Sequence, residues 1–73
     1  MKRHEIITKD PRILSGTPVF AGTRVPVESL ISHLIAGDTL EDFLDGFPGV
    51  RREQAEAFLE LALDAALTDA RAA

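Results

Sequence analysis

Cysteine is missing from this 73-residue chain, and so are tryptophan and tyrosine. Without thiols there is no disulfide and no cysteine-ligated zinc, two supports on which the smallest domains often rely. Histidine is scarce: His4 and His33 stand far apart in sequence, and no metal-binding spacing surrounds them. Long apolar runs are lacking too, and none approaches the roughly 20 residues needed to span a bilayer. The charged opening MKRHEIITKD leads into no continuous apolar segment, so a signal peptide is not expected and a cytoplasmic protein is. Basic residues thin out along the chain. Residues 1–27 carry Lys2, Arg3, Lys9, Arg12 and Arg24 against Glu5 and Asp10, a balance of +3. Residues 28–73 set Arg51, Arg52 and Arg71 against ten acids, a balance of −7. Such asymmetry points to two faces or two partners, although the acidic half alone reads as a solvated surface.

A single domain of this length buries only about 60% of its unfolded surface, which leaves it marginally stable. With disulfides and thiolate metal sites excluded, self-association or a partner is the expected reinforcement, most simply as a dimer. Within residues 1–73 the composition divides the chain into a β/turn arm and hairpin over 1–25, a three-helix unit over 26–67, and an alanine-rich tail over 68–73 that is expected to fray.

The β-type signals are short. Ile6-Ile7-Thr8 reads as a strand, and Val19-Phe20 and Thr23-Arg24-Val25 flank Ala21-Gly22 as a hairpin. Gly22 supplies the positive φ that such a turn needs. After Pro26 the period changes: Val27, Leu30, Ile31, Leu34 and Ile35 make the stripe of an amphipathic helix. Pro26 suits its first turn and Gly37 its end. Asp38 or Thr39 caps a second helix bearing Leu40, Phe43, Leu44 and Phe47, which Gly46 and Pro48-Gly49 stop. A third helix is expected from about Arg51 to Leu67, with Ala55, Phe58, Leu59, Ala62 and Ala66 facing inward. Leu61, Leu63 and Ala65 widen its apolar face beyond what one small core uses. That excess fits contact with a second chain; an alanine-rich helix that simply tolerates leucine accounts for it equally.

No assembled reactive set emerges. Gly16 and Gly22 lack the Lys-Ser/Thr and helix start of a phosphate loop. Ser15, Ser29 and Ser32 have no histidine in a recognisable arrangement. No catalytic residue, metal or cofactor is therefore expected, no small-molecule substrate, and no enzyme. Two short helices followed by a longer one do fit a helix-turn-helix, in which the third helix enters the major groove. Arg51, Arg52 and Gln54 stand at the start of that helix, where side chains reach bases or phosphates. Lys2 and Arg3 offer a basic arm, or else a solubilising tail. Glu53, Glu56 and Glu60 work against DNA, because acids repel the phosphates that supply most affinity.

The run IITKDPRILSGTPVFAGTRVPV, followed by LIAGDTLEDFLDGFP, closely resembles the bacterial family termed domain of unknown function 433. The resemblance extends from Ile6 to about Ala66, and the specific part is GTRVPV at 22–27. It implies a short N-terminal β-hairpin followed by a mostly α, trihelical, helix-turn-helix-like (homeodomain-like) unit. It also implies a VapB-like antitoxin of a type II toxin–antitoxin pair, often encoded beside a PIN-like ribonuclease toxin; binding of operator DNA by a dimer, through Arg51, Arg52 and the basic arms, is expected in addition. The family supplies no catalytic residues. Where it usually places Ser or Thr as cap of the third helix, this chain has Val50-Arg51, so a displaced or frayed helix start is expected. Gly46 is a second departure, expected to end the second helix early. In this reading Gly22, Thr23, Pro26, Gly37 and Pro48 are structural, Arg24 binds a carboxylate of its own chain or of a partner, with DNA phosphate as the second choice, and Leu61, Leu63 and Ala65 face a partner. The alternative is a structural dimerisation module without DNA contact.

Overall fold

A computed structural model describes residues 1–72. Arg3–Ile6 forms a single helical turn, α1, and the chain then straightens into strand β1 (Ile7–Thr8). The strand expected from Ile6 thus begins one residue later, since Ile6 closes α1 and turns into the core. β1 pairs antiparallel with β2 (Val19–Phe20), with Ile7 opposite Phe20 and Thr8 opposite Val19.

The second edge of β2 carries the hairpin read from the sequence, in minimal form. The Phe20 N–H donates to Val25 O at 2.9 Å and the Val27 N–H to Pro18 O at 3.1 Å. Val19 and Pro26 bridge between them. The turn closes at Thr23 and α2 opens at Val27, so the return segment contributes one bridge, at Pro26, and not the strand expected at Thr23-Arg24-Val25. The connecting turn is closed by the Thr23 N–H on Phe20 O at 3.0 Å, with Gly22 at φ +80°.

The three helices of the second part are α2 (Val27–Ile35), α3 (Leu40–Gly46) and α4 (Arg52–Ala72). α2 ends in a Schellman motif. Gly37 takes φ +98°, its N–H bonds Leu34 O at 3.1 Å, and the Asp38 N–H bonds His33 O at 3.0 Å. Thr39 caps α3 by accepting from the Asp42 N–H at 3.1 Å, while Asp42 accepts from the Thr39 N–H at 3.0 Å. The domain is therefore mostly helical with a short antiparallel ribbon near its N-terminus.

Phe20, Leu30, Phe43, Val50 and Ala55 make the core, flanked by Val25, Val27, Leu34, Leu40, Leu44, Phe47, Phe58 and Leu59. The phenylalanines from β2, α3 and α4 meet directly. Phe20 lies edge-on to Phe58 with centroids 5.6 Å apart and tilted against Phe43 at 6.2 Å. The ribbon is thus stitched to the helices by aromatic contacts.

α4 outlasts that core. It continues five residues past Leu67, where the apolar pattern had placed its end. Ala66, expected inward, is exposed, as is every residue from Leu63 to Ala72. At 1.5 Å per residue α4 is about 31 Å long, and the molecule's longest extent is 36 Å. The radius of gyration is 12.6 Å, against about 11 Å for a spherical domain of this length. The difference is the free end of one helix.

Candidate functional site

The start of α4 is where the sequence gathers its DNA-reading candidates, and the structure separates them. Arg51 stands at the N-cap, its carbonyl taking the first helical bond from the Ala55 N–H at 3.0 Å. Its side chain has no oxygen to cap with, yet the helix starts cleanly. Gln54 supplies the reciprocal half of a capping box: its Oε1 accepts from the Arg51 N–H at 3.1 Å. The Gln54 amide nitrogen meanwhile donates to Glu5 O at 3.0 Å and Ala21 O at 2.9 Å. With a relative exposure of 1%, Gln54 is the buried polar residue among the described residues. It ties α4 to α1 and to the hairpin turn. Its place among the DNA-reading residues is corrected accordingly, since no hydrogen-bonding group of it faces outward.

Arg52 is also engaged. Its guanidinium meets Glu41 at 2.6 Å and Glu56 at 3.6 Å, joining α3 to α4. The Arg52 hydrogen bond, reinforced by a backbone bond and by its charge, holds the Glu41 carboxyl below the ordinary carboxylate range. Arg51 and Arg24 are exposed and form no ion pair among the described residues. The own-chain carboxylate expected for Arg24 is not there. The two arginines flank neighbouring turns: a Cβ at Gly49, two residues before Arg51, would lie 3.6 Å from Thr23 Cγ2, next to Arg24.

Lys2 and Arg3 are ordered on the domain. The Lys2 N–H donates to Glu5 Oε1 at 2.8 Å, and the Glu5 N–H to Lys2 O at 2.9 Å. Because Gln54 grips Glu5 O, this basic turn is fixed beside the base of α4. Nothing in the sequence marked that link, since a 49-residue separation leaves no local signal.

A second surface is the outer half of α4. Leu63 is 57% exposed and Leu67 39%, with Ala65 open to solvent and Leu61 half-buried. Glu60 and Asp64 lie one turn apart, and Leu63 and Leu67 lie three residues after each, so an acidic strip borders an apolar ridge. A third feature is an open groove of about 700 Å³ lined by Arg3, His4, Ile7, Lys9, Pro18 and Val27. Its lining is part apolar and part basic.

His33 belongs to the fold. Its ring lies edge-on to Phe43 and Phe47, 5.4 and 5.6 Å away, and its Nδ1 is 2.8 Å from Asp38 Oδ2. Among the described residues, no three His, Asp or Glu side chains gather as a metal site. No described helix is long and apolar enough to cross a membrane.

The model of a family described as a protein of unknown function, DUF433, matches residues 7–62. The uncharacterized protein y4eO of Sinorhizobium fredii is 44% identical over 50 residues, 68% of this chain and 23% of that protein. The chain thus spans about a quarter of that relative's length. No solved structure matches. The matched span covers β1 through the packed half of α4, stopping where the helix leaves the core. The chain belongs to the DUF433 family.

Proposed function

We infer that the protein is an antitoxin-like regulator that neutralises a partner protein, a PIN-like ribonuclease toxin, by stoichiometric binding. The observation that carries this reading is the outer half of α4, an apolar ridge with an acidic border that serves no purpose in its own core. Acidic surface against a nucleic-acid-binding cleft is electrostatically favoured, because it mimics the charge of the substrate it displaces. Leu61, Leu63 and Ala65 form the contact, and Arg24 stands free to meet a partner carboxylate. The test is capture of the tagged chain's partners from the native host, followed by ribonuclease assays on what is recovered. Recovery of a ribonuclease silenced at one-to-one stoichiometry, and released by Leu63→Asp, supports the reading. Recovery of none, or of one whose activity is unchanged, overturns it.

The same reading includes regulation of the operon through Arg51, Arg52, Lys2 and Arg3 on operator DNA. A second reading, a dimerisation module that does not touch DNA, has its own support: Gln54 is buried, Arg52 is held by two carboxylates, and Glu53, Glu56 and Glu60 are exposed nearby. Gel shifts on upstream DNA at several salt concentrations separate the two. Retention that falls with salt and weakens in Arg51→Ala/Arg52→Ala favours regulation. Absence of any shift at low salt favours the module.

A further inference from the structure

The groove and the helix end carry opposite chemistry on the same kind of frame. The groove is lined by the apolar Ile7, Pro18 and Val27 together with Arg3, His4 and Lys9, and no carboxylate is among those lining residues. One carboxylate, Glu28, lines an adjoining notch of about 140 Å³ that shares Pro18 and Val27. The free end of α4 has Leu63 and Leu67 as its ridge and Glu60 and Asp64 as its border. The ridge and the groove lining are both apolar, and the acids bordering one are opposite in charge to Arg3 and Lys9 of the other. α4 is one unbroken helix whose base is bound to α1, so its tip cannot fold back onto its own groove.

We propose that the groove is the docking site for the outer half of α4 from a second copy of this chain. Each copy then lends its helix end and receives its partner's, which gives two equivalent contacts related by a two-fold axis and closes at two subunits. The pairing also explains the split of charge along the chain, because the positive N-terminal part of one copy covers the negative C-terminal part of the other. A groove of about 700 Å³ has room for several aliphatic side chains, since a closed cavity of about 150 Å³ already holds a benzene. The inference is independent of the toxin's identity, but it uses the ridge assigned to the toxin above, so self-association and toxin capture are mutually exclusive at each helix end.

Sedimentation equilibrium on the full chain tests it, using two charge-reversed variants. Variant one is Arg3→Glu/Lys9→Glu; variant two is Glu60→Lys/Asp64→Lys. All four positions are exposed, and circular dichroism checks that helix content is unchanged. The wild-type chain is expected at twice its 7.9 kDa mass. In each variant alone, groove and helix end carry the same sign, and the dissociation constant is expected to rise about a hundredfold. An equimolar mixture of the two restores opposite signs at both contacts and brings the constant back to within about tenfold of wild type. Leu63→Ser/Leu67→Ser, which alters no charge, weakens the dimer as well. A wild-type monomer at every concentration overturns the proposal. So does a dimer indifferent to these changes, or one that mixing fails to restore.

Discussion

Gln54 makes three hydrogen bonds with one amide, and each answers a different need of the fold. It holds the N–H at the start of α4, satisfies a carbonyl of α1, and pins the hairpin turn. Gln54→Ala strips partners from one N–H and two carbonyls, and a buried polar group left unpaired costs about 1–3 kcal/mol. A loss of about 3 kcal/mol in urea unfolding is expected, a large share of a small domain's stability. Gln54→Glu should lose at least as much, because a carboxylate would face two carbonyl oxygens. Half of this was legible. Gln at the third position of a helix is one side of a capping box, but Arg51 is not the Ser or Thr that completes the signature. The other two bonds reach residues far upstream, where sequence spacing is silent. Ser15 shows the converse, a local cost the sequence does not advertise. Leu14, Ser15 and Gly16 take φ values of 47°, 56° and 88° in succession. Only the third is a residue type that favours such a conformation, and the left-handed region costs other residues about 1 kcal/mol or more. Ser15→Gly should relieve that strain, offset in part by the freedom glycine has when unfolded. A gain of about 0.5 kcal/mol is expected, visible as a melting midpoint about 2–4 °C higher.

Among the elements, α2 and α3 were the most readable, since their stripes, Gly37 and the Thr39 cap all agree with one another. α4 was readable at its base and not at its tip. The apolar pattern fades after Leu67, but alanine-rich sequence is the best helix former available, and the helix carries on without packing. The small sheet was legible as β-type segments but not as a topology. Nothing local says that Ile7-Thr8 pairs with Val19-Phe20 across an intervening loop. The division of α4 into a packed and an unpacked half makes a sharp contrast. Leu63→Ser/Leu67→Ser should change unfolding free energy by no more than about 0.5 kcal/mol, as exposed substitutions usually do. Phe58→Ala, by removing the ring packed edge-on to Phe20, should cost about 3–4 kcal/mol. Both belong in denaturant titrations at low protein concentration, where only the single chain is present.

At the scale of the whole molecule, acid sensitivity should come from three carboxylates that are bonded in the fold. Hydrogen bonds from the Arg12 side chain hold Asp10 below the ordinary carboxylate range, Arg52 does so for Glu41, and the Thr39 backbone and side chain do so for Asp42. A group whose folded pKa is depressed adds stability above its unfolded pKa and loses it as pH falls through the folded value. The urea midpoint should therefore be insensitive to these groups between pH 8 and about 5 and decline below about pH 4. Because Glu41 and Asp42 are exposed and Asp10 is partly so, the decline should be shallow, and Arg12→Ala with Arg52→Ala should flatten it further. The two-sided charge distribution could be read from the sequence, whereas the groove that gathers its positive side required the folded ribbon. The free end of α4 is mechanically part of the folded domain. Its ridge is continuous with the helix that carries Gln54 and Phe58, so anything that grips the ridge grips the native state and ignores the unfolded one. Occupancy then becomes heat resistance: a binder at a hundred times its dissociation constant adds about 2.7 kcal/mol. A melting curve in the presence of a candidate partner is thus a direct gauge of whether the helix end has been taken.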